Sequence, residues 1–175
     1  MGTGAVVLVG NPRVGSRTRT VGEAAARAVL GDAAAEVTVL ELGELVGVSF
    51  GPEPAYGSGR VADPLGLVRS ARLLVVATPT YKGTYTGLLK VFLDQLGHRE
   101  LAGVVAVPVA VAASEAHRQS VGAALRELLV ELGATVPAPP LALLEPQVAD
   151  VDEVAAAWAA AHAGPLAAAL AAPVT

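Results

Sequence analysis

The sequence contains no cysteine, which excludes disulfides, a thiol nucleophile and zinc or iron–sulfur sites built on cysteine. Aromatic residues make up only 3% of it, too few for the stacked rings on which single-stranded nucleic acid is held. Charge is also scarce. Charged residues are 16% of the chain and the formal net charge is −4, which argues against a nucleic-acid partner. The three histidines, His98, His117 and His162, are isolated and fit no zinc-ligand spacing. No long hydrophobic run is present. The longest, Val104–Ala113, reaches about half of the ~20 residues a spanning helix needs. The start, MGTGAVVLVG, lacks the basic opening of a secretory signal. These absences predict a soluble cytoplasmic protein with no membrane partner.

What remains is a chain rich in apolar residues. Hydrophobic residues are 53% of 175, enough for one domain over residues 1–175 with a sizeable core. Short apolar blocks alternate with helical patterns. Ala5–Gly10 is a β-branched run ending in glycine, which reads as a buried strand. A helix is predicted over Thr18–Leu30 and an edge-like alternating strand over Glu36–Leu42. Gly43–Gly59 carries Gly, Pro and Ser in excess and reads as a long loop. A short helix over Asp63–Ser70, a buried strand over Arg72–Ala77 and an amphipathic helix over Thr86–Leu96 follow. Gly103–Ala112 reads as a further buried strand. Glu115–Leu132 is the longest helical pattern, closed by Gly133. Thr135–Leu144 holds three prolines, so its strand must be irregular or lie at an edge. One last helix opens at Asp150.

This alternation implies right-handed βαβ units and an open parallel sheet covered on both faces. Ligands of such sheets bind at the carboxyl ends of the strands, at the point where strand order reverses. Two doubly wound orders suit five strands. In one of them that point falls between the first and third strands, which singles out Gly10–Arg17 and Thr78–Thr86.

The first of these loops reads Gly10-Asn11-Pro12-Arg13-Val14-Gly15-Ser16-Arg17-Thr18 and runs directly into a helix. A helix N-terminus attracts anions, commonly phosphate, and Arg13 adds a donor fork suited to phosphate oxygens. Asn11, Ser16 and Thr18 add short hydrogen-bonding side chains, and Gly10 and Gly15 let the backbone come close. Neither G-x-x-x-x-G-K-[ST] nor a G-x-G-x-x-G after the strand is present, against a P-loop hydrolase and an ordinary dinucleotide fold. A plain helix cap at Ser16 or Thr18 with a solvated Arg13 would use the same residues. The second loop, Pro79-Thr80-Tyr81-Lys82-Gly83-Thr84-Tyr85-Thr86-Gly87, and the segment after it, Leu88-Leu89-Lys90-Val91-Phe92-Leu93-Asp94, together hold both lysines of the chain, Lys82 and Lys90. Its turn can aim main-chain groups at a flat heteroaromatic ring, Tyr81 can cover a face of it, and Gly83 and Gly87 leave room. A surface loop displaying Tyr and Lys is the simpler alternative.

Together the two segments resemble the NADPH-dependent FMN reductase family, a branch of the flavodoxin-like superfamily. That family carries G-S-x-R-x-x-S after the first strand and P-x-Y-x-x-x-x-x-G-x-L-K-x-x-x-D after the third. Here these stand as Gly10-Asn11-Pro12-Arg13-Val14-Gly15-Ser16 and Pro79-Thr80-Tyr81…Gly87-Leu88-Leu89-Lys90…Asp94. The second segment is most similar to alkanesulfonate-type FMN reductases, and weaker similarity continues through Pro108, Ala116-His117 and Leu125. The resemblance implies a flavodoxin-like three-layer α/β sandwich with a five-stranded parallel sheet, order 2-1-3-4-5. It implies reduction of FMN by NADPH or NADH through hydride transfer to flavin N5, with no catalytic side chain.

By position, Asn11, Arg13, Ser16 and Thr18 would hold the FMN phosphate, and Pro79, Thr80, Tyr81, Lys82 and Gly83 would line the isoalloxazine. A third loop, Val111-Ala112-Ala113-Ser114, would place Ala113 and Ser114 at the pyrimidine end. The resemblance further implies a homodimer or homotetramer and release of reduced FMN to a partner monooxygenase. Two departures stand out. Asn11 replaces the usual serine, and the third loop lacks the usual Thr-Gly-Gly, whose glycines permit positive φ. An FMN-containing quinone or azo reductase, a flavodoxin-type electron carrier and a scaffold without flavin are alternatives; Arg13 speaks against the carrier, and Ala112-Ala113 alone supports the scaffold.

Other candidates read as structural. Lys90 and Asp94 suit an i,i+4 pair, Trp158 a packing anchor, and Glu127 and Glu131 a solvated helix face. No carboxylate pair suggests glycoside chemistry and no G-x-S-x-G is present. His117 opens the helix beside the third loop and is more readily structural than catalytic.

Overall fold

The computed structural model describes residues 3–31, 37–45 and 63–173. Five strands form one parallel sheet: β1 (Thr3–Val9), β2 (Val37–Glu41), β3 (Ala71–Pro79), β4 (Val105–Ala112) and β5 (Leu141–Leu144), in the order β2-β1-β3-β4-β5. This is the predicted doubly wound architecture and strand order. Around the sheet lie α1 (Arg17–Leu30), α2 (Leu42–Leu45), α3 (Pro64–Ser70), α4 (Gly87–Leu93), α5 (Glu115–Glu131), α6 (Val151–Ala161) and α7 (Ala163–Ala171), with a 3-10 turn at Glu145–Asp150.

The period-2 direction of strand side chains divides β1 between two cores. Val6 and Leu8 join Leu74 and Val76 under α3, α4 and α5, where Val68, Leu89, Phe92, Leu125 and Leu129 are buried. Val7 and Val9 join Leu73, Val75, Val107 and Val109 under α1, α6 and α7, against Val21, Ala25, Ala155 and Leu166. Such two-sided burial explains why β1, β3 and β4 read as continuous apolar runs rather than alternating ones. Each fully buried Leu or Val contributes about 1.5–3 kcal/mol relative to exposure.

Several boundaries follow from caps. The Ser16 hydroxyl accepts from the Arg19 N–H and starts α1 a residue before the sequence predicts. The Asp63 carboxylate accepts from the Gly66 N–H at 2.7 Å and Pro64 opens α3. Gly133 (φ +93) follows the end of α5 as expected.

The prolines behave as their missing N–H requires. Pro108 sits in a central strand, paired with Val76. On the other flank the Ala106 N–H donates to the Thr135 carbonyl, and β5 pairs only from Val109 onward. Pro108 therefore occupies the gap between the two partners, where no donor is called for. Pro137, Pro139 and Pro140 delay the edge strand to Leu141.

The final helix differs from expectation. It is two helices, α6 and α7, bent by 72° about His162. In a continuous helix Pro165 would have no N–H for the Ala161 carbonyl and its ring would clash with that carbonyl, so α6 ends at Ala161 and Pro165 falls in the first turn of α7. The Arg72 guanidinium then holds the carbonyls of Ala169, Leu170 and Ala172, tying α7 to β3. The predicted loop Gly43–Gly59 begins instead within α2, and its residues 46–59 lie outside the described residues. No single described helix is long and apolar enough to cross a membrane.

Candidate functional site

The β1–α1 and β3–α4 loops meet at the carboxyl edge of the sheet. The Gly10 N–H donates to the Ala77 carbonyl at 2.8 Å. The buried Thr86 hydroxyl donates to the Gly10 carbonyl at 2.6 Å while accepting from the Leu89 N–H at 3.1 Å, so one side chain caps α4 and fastens it to β1. Gly10 is needed for this contact: a Cβ there would lie 2.8 Å from that of Leu89. Its small size serves the junction between the loops rather than approach of a ligand.

Beside this junction opens a cavity of about 460 Å³, within the size range of small-molecule sites. Its walls bring together eight of the residues singled out in sequence: Asn11, Arg13, Ser16, Thr18, Pro79, Thr80, Tyr81 and Ala113. Val14, Gly15, Arg17, Val111, His117 and Glu145 complete it. Lys82, Gly83 and Ser114 are not among the lining residues.

One end of the cavity is polar. The Asn11 amide donates to the Thr18 hydroxyl at 3.0 Å and its carbonyl oxygen accepts from the Arg13 N–H at 2.9 Å. Asn11 thus folds the loop over itself, a bracing role that its donor count in sequence does not reveal. Ser16 and Thr18 have structural duties too, one as cap and the other as the acceptor for Asn11. The N–H groups of Arg17 and Thr18 open α1 and have no intrahelical partner. Arg13 is exposed and makes no ion pair among the described residues. Arg17 reaches Glu145 at 3.5 Å with both side chains largely exposed, a pair worth little in water. The polar end therefore presents a free guanidinium, a second guanidinium loosely held and the dipole of a 14-residue helix. This arrangement suits an anion.

The other end is built from backbone. Both the N–H and the hydroxyl of Thr80 donate to the Val111 carbonyl at 2.9 Å, which locks β3 to β4 at their tips. Tyr81 and Thr84 pair through reciprocal backbone bonds, and Lys82 (φ +53) and Gly83 (φ +87) form the tip of that hairpin. Positive φ at both positions is what a two-residue type I′ turn requires. Gly83 supplies it freely; Lys82 does so at a cost. The tip packs toward α5: the Ser120 hydroxyl donates to the Gly83 carbonyl, and a Cβ at Gly83 would lie 4.0 Å from Nε2 of His117.

After β4, Ser114 caps α5 by accepting from the His117 N–H, with φ at −138°. Neither Ala112 nor Ala113 has positive φ, so alanine fits this turn without strain where the resemblance suggests glycine. Lys90 and Asp94 form the expected i,i+4 pair, which raises the lysine pKa through that hydrogen bond. Trp158 donates to the Pro139 carbonyl and packs on the α6 side of the sheet. Among the described residues no cluster of three metal-ligating side chains occurs.

Glu145 is a lining residue that the sequence motifs leave unmarked. It sits just past the carboxyl end of β5, and the switch-point rule applied to every strand would have found it.

Comparisons with known proteins agree with this geometry. The chain is 35% identical over 133 residues to an FMN reductase (NADPH) of Escherichia coli (strain K12), covering 74% of this chain and 66% of that protein. It is 39% identical over 64 residues to the NADH-dependent FMN reductase SfnF of Pseudomonas putida, covering 37% of this chain and 34% of that protein. The matches thus span less than two thirds of these relatives' lengths. Among solved structures, an apo NADH:FMN oxidoreductase (EMOB) superposes with a TM-score of 0.79 at 27% identity, over 98% of this chain and 92% of that one. The model of the family described as NADPH-dependent FMN reductase matches residues 4–149. That span contains both loops and all five strands but for Thr3 at the start of β1, and by it the chain belongs to the NADPH-dependent FMN reductase family.

Proposed function

We propose that this chain is an NAD(P)H:FMN oxidoreductase that binds FMN across the carboxyl ends of β1 and β3. The observation that carries the reading is the two-ended cavity, with Arg13 and the opening amides of α1 at one end and the Pro79–Tyr81 backbone at the other. A molecule with a phosphate tail and a planar ring system matches both ends. Family membership supports the same ligand, and names of relatives mention both NADPH and NADH.

In this reading Arg13, Ser16, Arg17 and Thr18 hold the phosphate, while Pro79, Thr80, Tyr81 and Ala113 orient the ring. Lys82, Gly83 and Ser114 contribute by setting the hairpin tip and the start of α5. Bound FMN supplies the acceptor for a hydride from the nicotinamide, and the chain's work is binding and orientation. No side chain is required to move a proton. The exposure of Arg13, Gly15 and Tyr81 suits a flavin that exchanges with solvent. Reduced FMN then serves a partner monooxygenase, in the cytoplasm where pyridine nucleotides are available. The apolar composition suits a dimer or tetramer with buried contacts.

The test is NADPH oxidation by the purified chain with and without added FMN, beside a visible absorption titration. Oxidation should need FMN and saturate with it, and mixing should perturb the flavin spectrum. Oxidation at the same rate without flavin overturns the reading. A protein that stays yellow through dialysis and reduces quinones by ping-pong kinetics is a quinone reductase instead.

A further inference from the structure

Strand β2 does not line the cavity, yet its carboxyl end holds the loop that does. Glu41, its last residue, is 5% exposed. One carboxylate oxygen accepts from the Gly15 N–H at 2.8 Å and the other from the Arg19 guanidinium at 2.8 Å. Arg19 also reaches Glu23 at 3.1 Å, and its pKa is raised, first by the hydrogen bond to Glu41. A buried carboxylate is costly unless its oxygens are paired; here each oxygen has one partner, joining the loop apex to the first turn of α1.

A second contact comes two residues later. Gly43 in α2 lies so close to the loop that a Cβ would sit 2.6 Å from the Pro12 carbonyl oxygen and 3.1 Å from that of Asn11. The β2–α2 corner therefore braces the loop at Gly15 by a hydrogen bond and at Pro12 by contact. Gly15 has φ +65 with nothing within 4 Å of a Cβ, so the conformation there is held by the bond and not by packing. That bond also removes the Gly15 amide from the donors offered to an anion, leaving those that open α1. The carboxylate's charge lies beside an anion site, and Arg19 balances it.

We propose that Glu41 is a positioning residue for the phosphate end of the flavin site, fixing Gly15 so that the opening amides of α1 and Arg13 face the phosphate. The proposal rests on the FMN reading of the cavity. Its signature is selective: FMN carries the phosphate and riboflavin does not, so loss of positioning weakens FMN and spares riboflavin.

The experiment measures dissociation constants for FMN and riboflavin by fluorescence quenching, with the ligand-free melting temperature, for the wild type, Glu41→Ala, Glu41→Gln and Gly43→Ala. Glu41→Ala should weaken FMN about tenfold or more, the scale of a lost charge-assisted hydrogen bond, with riboflavin within about twofold. Glu41→Gln keeps an acceptor for the Gly15 amide but turns an NH2 toward the Arg19 guanidinium, so it should recover most, not all, of the FMN affinity lost in Glu41→Ala. Gly43→Ala leaves the carboxylate in place, displaces Pro12 and should repeat the selective loss, which keeps the test open should Glu41→Ala fail to fold. Equal losses for both ligands, or no loss in a folded Glu41→Ala, overturn the proposal. A wild type that binds riboflavin as tightly as FMN overturns the FMN reading itself, and the positioning role with it.

Discussion

The two loops that meet at the cavity are built on opposite plans. The β1–α1 loop is knit by side chains: Asn11 to Thr18 and to the Arg13 amide, Ser16 to Arg19, and Glu41 from outside to Gly15. The β3–α4 loop is knit mainly by backbone: Tyr81 with Thr84, and Thr80 with Val111. The first plan depends on which residues are present and the second on which conformations they can reach. Substitutions that remove a polar group should therefore act strongly in the first loop, and substitutions that change allowed φ should act in the second.

The largest effect expected is at Arg13. Arg13→Ala should weaken FMN binding by about 1.5–3 kcal/mol, the worth of a hydrogen bond to a charged group, and leave riboflavin unchanged. Isothermal titration with both ligands checks this. An unchanged FMN constant would remove Arg13 from the site and reduce the first loop to a bare helix cap.

Thr86 is next and tests the seam between the plans. Thr86→Val keeps the shape but leaves the Gly10 carbonyl and the Leu89 N–H without their side-chain partner. Urea unfolding should show a loss of about 1–3 kcal/mol, largely recovered by Thr86→Ser. No loss would mean that the two loops are held independently.

How much of this was legible in the sequence follows the same division. Pro79-Thr80-Tyr81 and Gly10…Arg13…Ser16 pointed to the cavity only in combination, through the switch-point rule and the resemblance, since each loop alone also reads as a surface loop or a helix cap. The alternation of apolar blocks implied a doubly wound parallel sheet but left two strand orders open, and only the resemblance chose between them. Glu41 was invisible because it alternates normally within a strand, and its role arises only when β2 is placed beside β1, bringing it to Gly15. Asn11 reads in sequence as a ligand donor; it lines the cavity, and only folding shows that it also braces the loop through Thr18 and the Arg13 amide. The bend at His162 was written in Gly164-Pro165 but hidden by the surrounding alanines, whose helical propensity suggests one continuous helix.

Lys82 offers a smaller, backbone-only test. Its φ of +53 costs a non-glycine residue about 1–2 kcal/mol, and glycine loses about 0.5–1 kcal/mol more entropy on folding. Lys82→Gly should thus stabilise by up to about 1.5 kcal/mol in thermal unfolding, the difference of those two contributions, with FMN affinity unchanged. A marked loss of affinity would show that the lysine side chain, and not the turn, serves the ring end.

The smallest effect concerns Glu145, the carboxylate in a cavity read as an anion site. Its partner Arg17 lies 3.5 Å away, and the side chains are 47% and 65% exposed, so their attraction is screened by water and salt. Glu145→Gln removes a repulsive charge from the cavity and frees Arg17 to face the phosphate. FMN affinity should rise by a few tenths of a kcal/mol to about 1 kcal/mol, the scale of an exposed charge pair. The gain should shrink as salt rises, since both contributions are Coulombic. A fall in affinity would reverse the assignment: Glu145 would then accept a hydrogen bond from the ligand, and the side-chain plan would extend from the first loop to the end of β5.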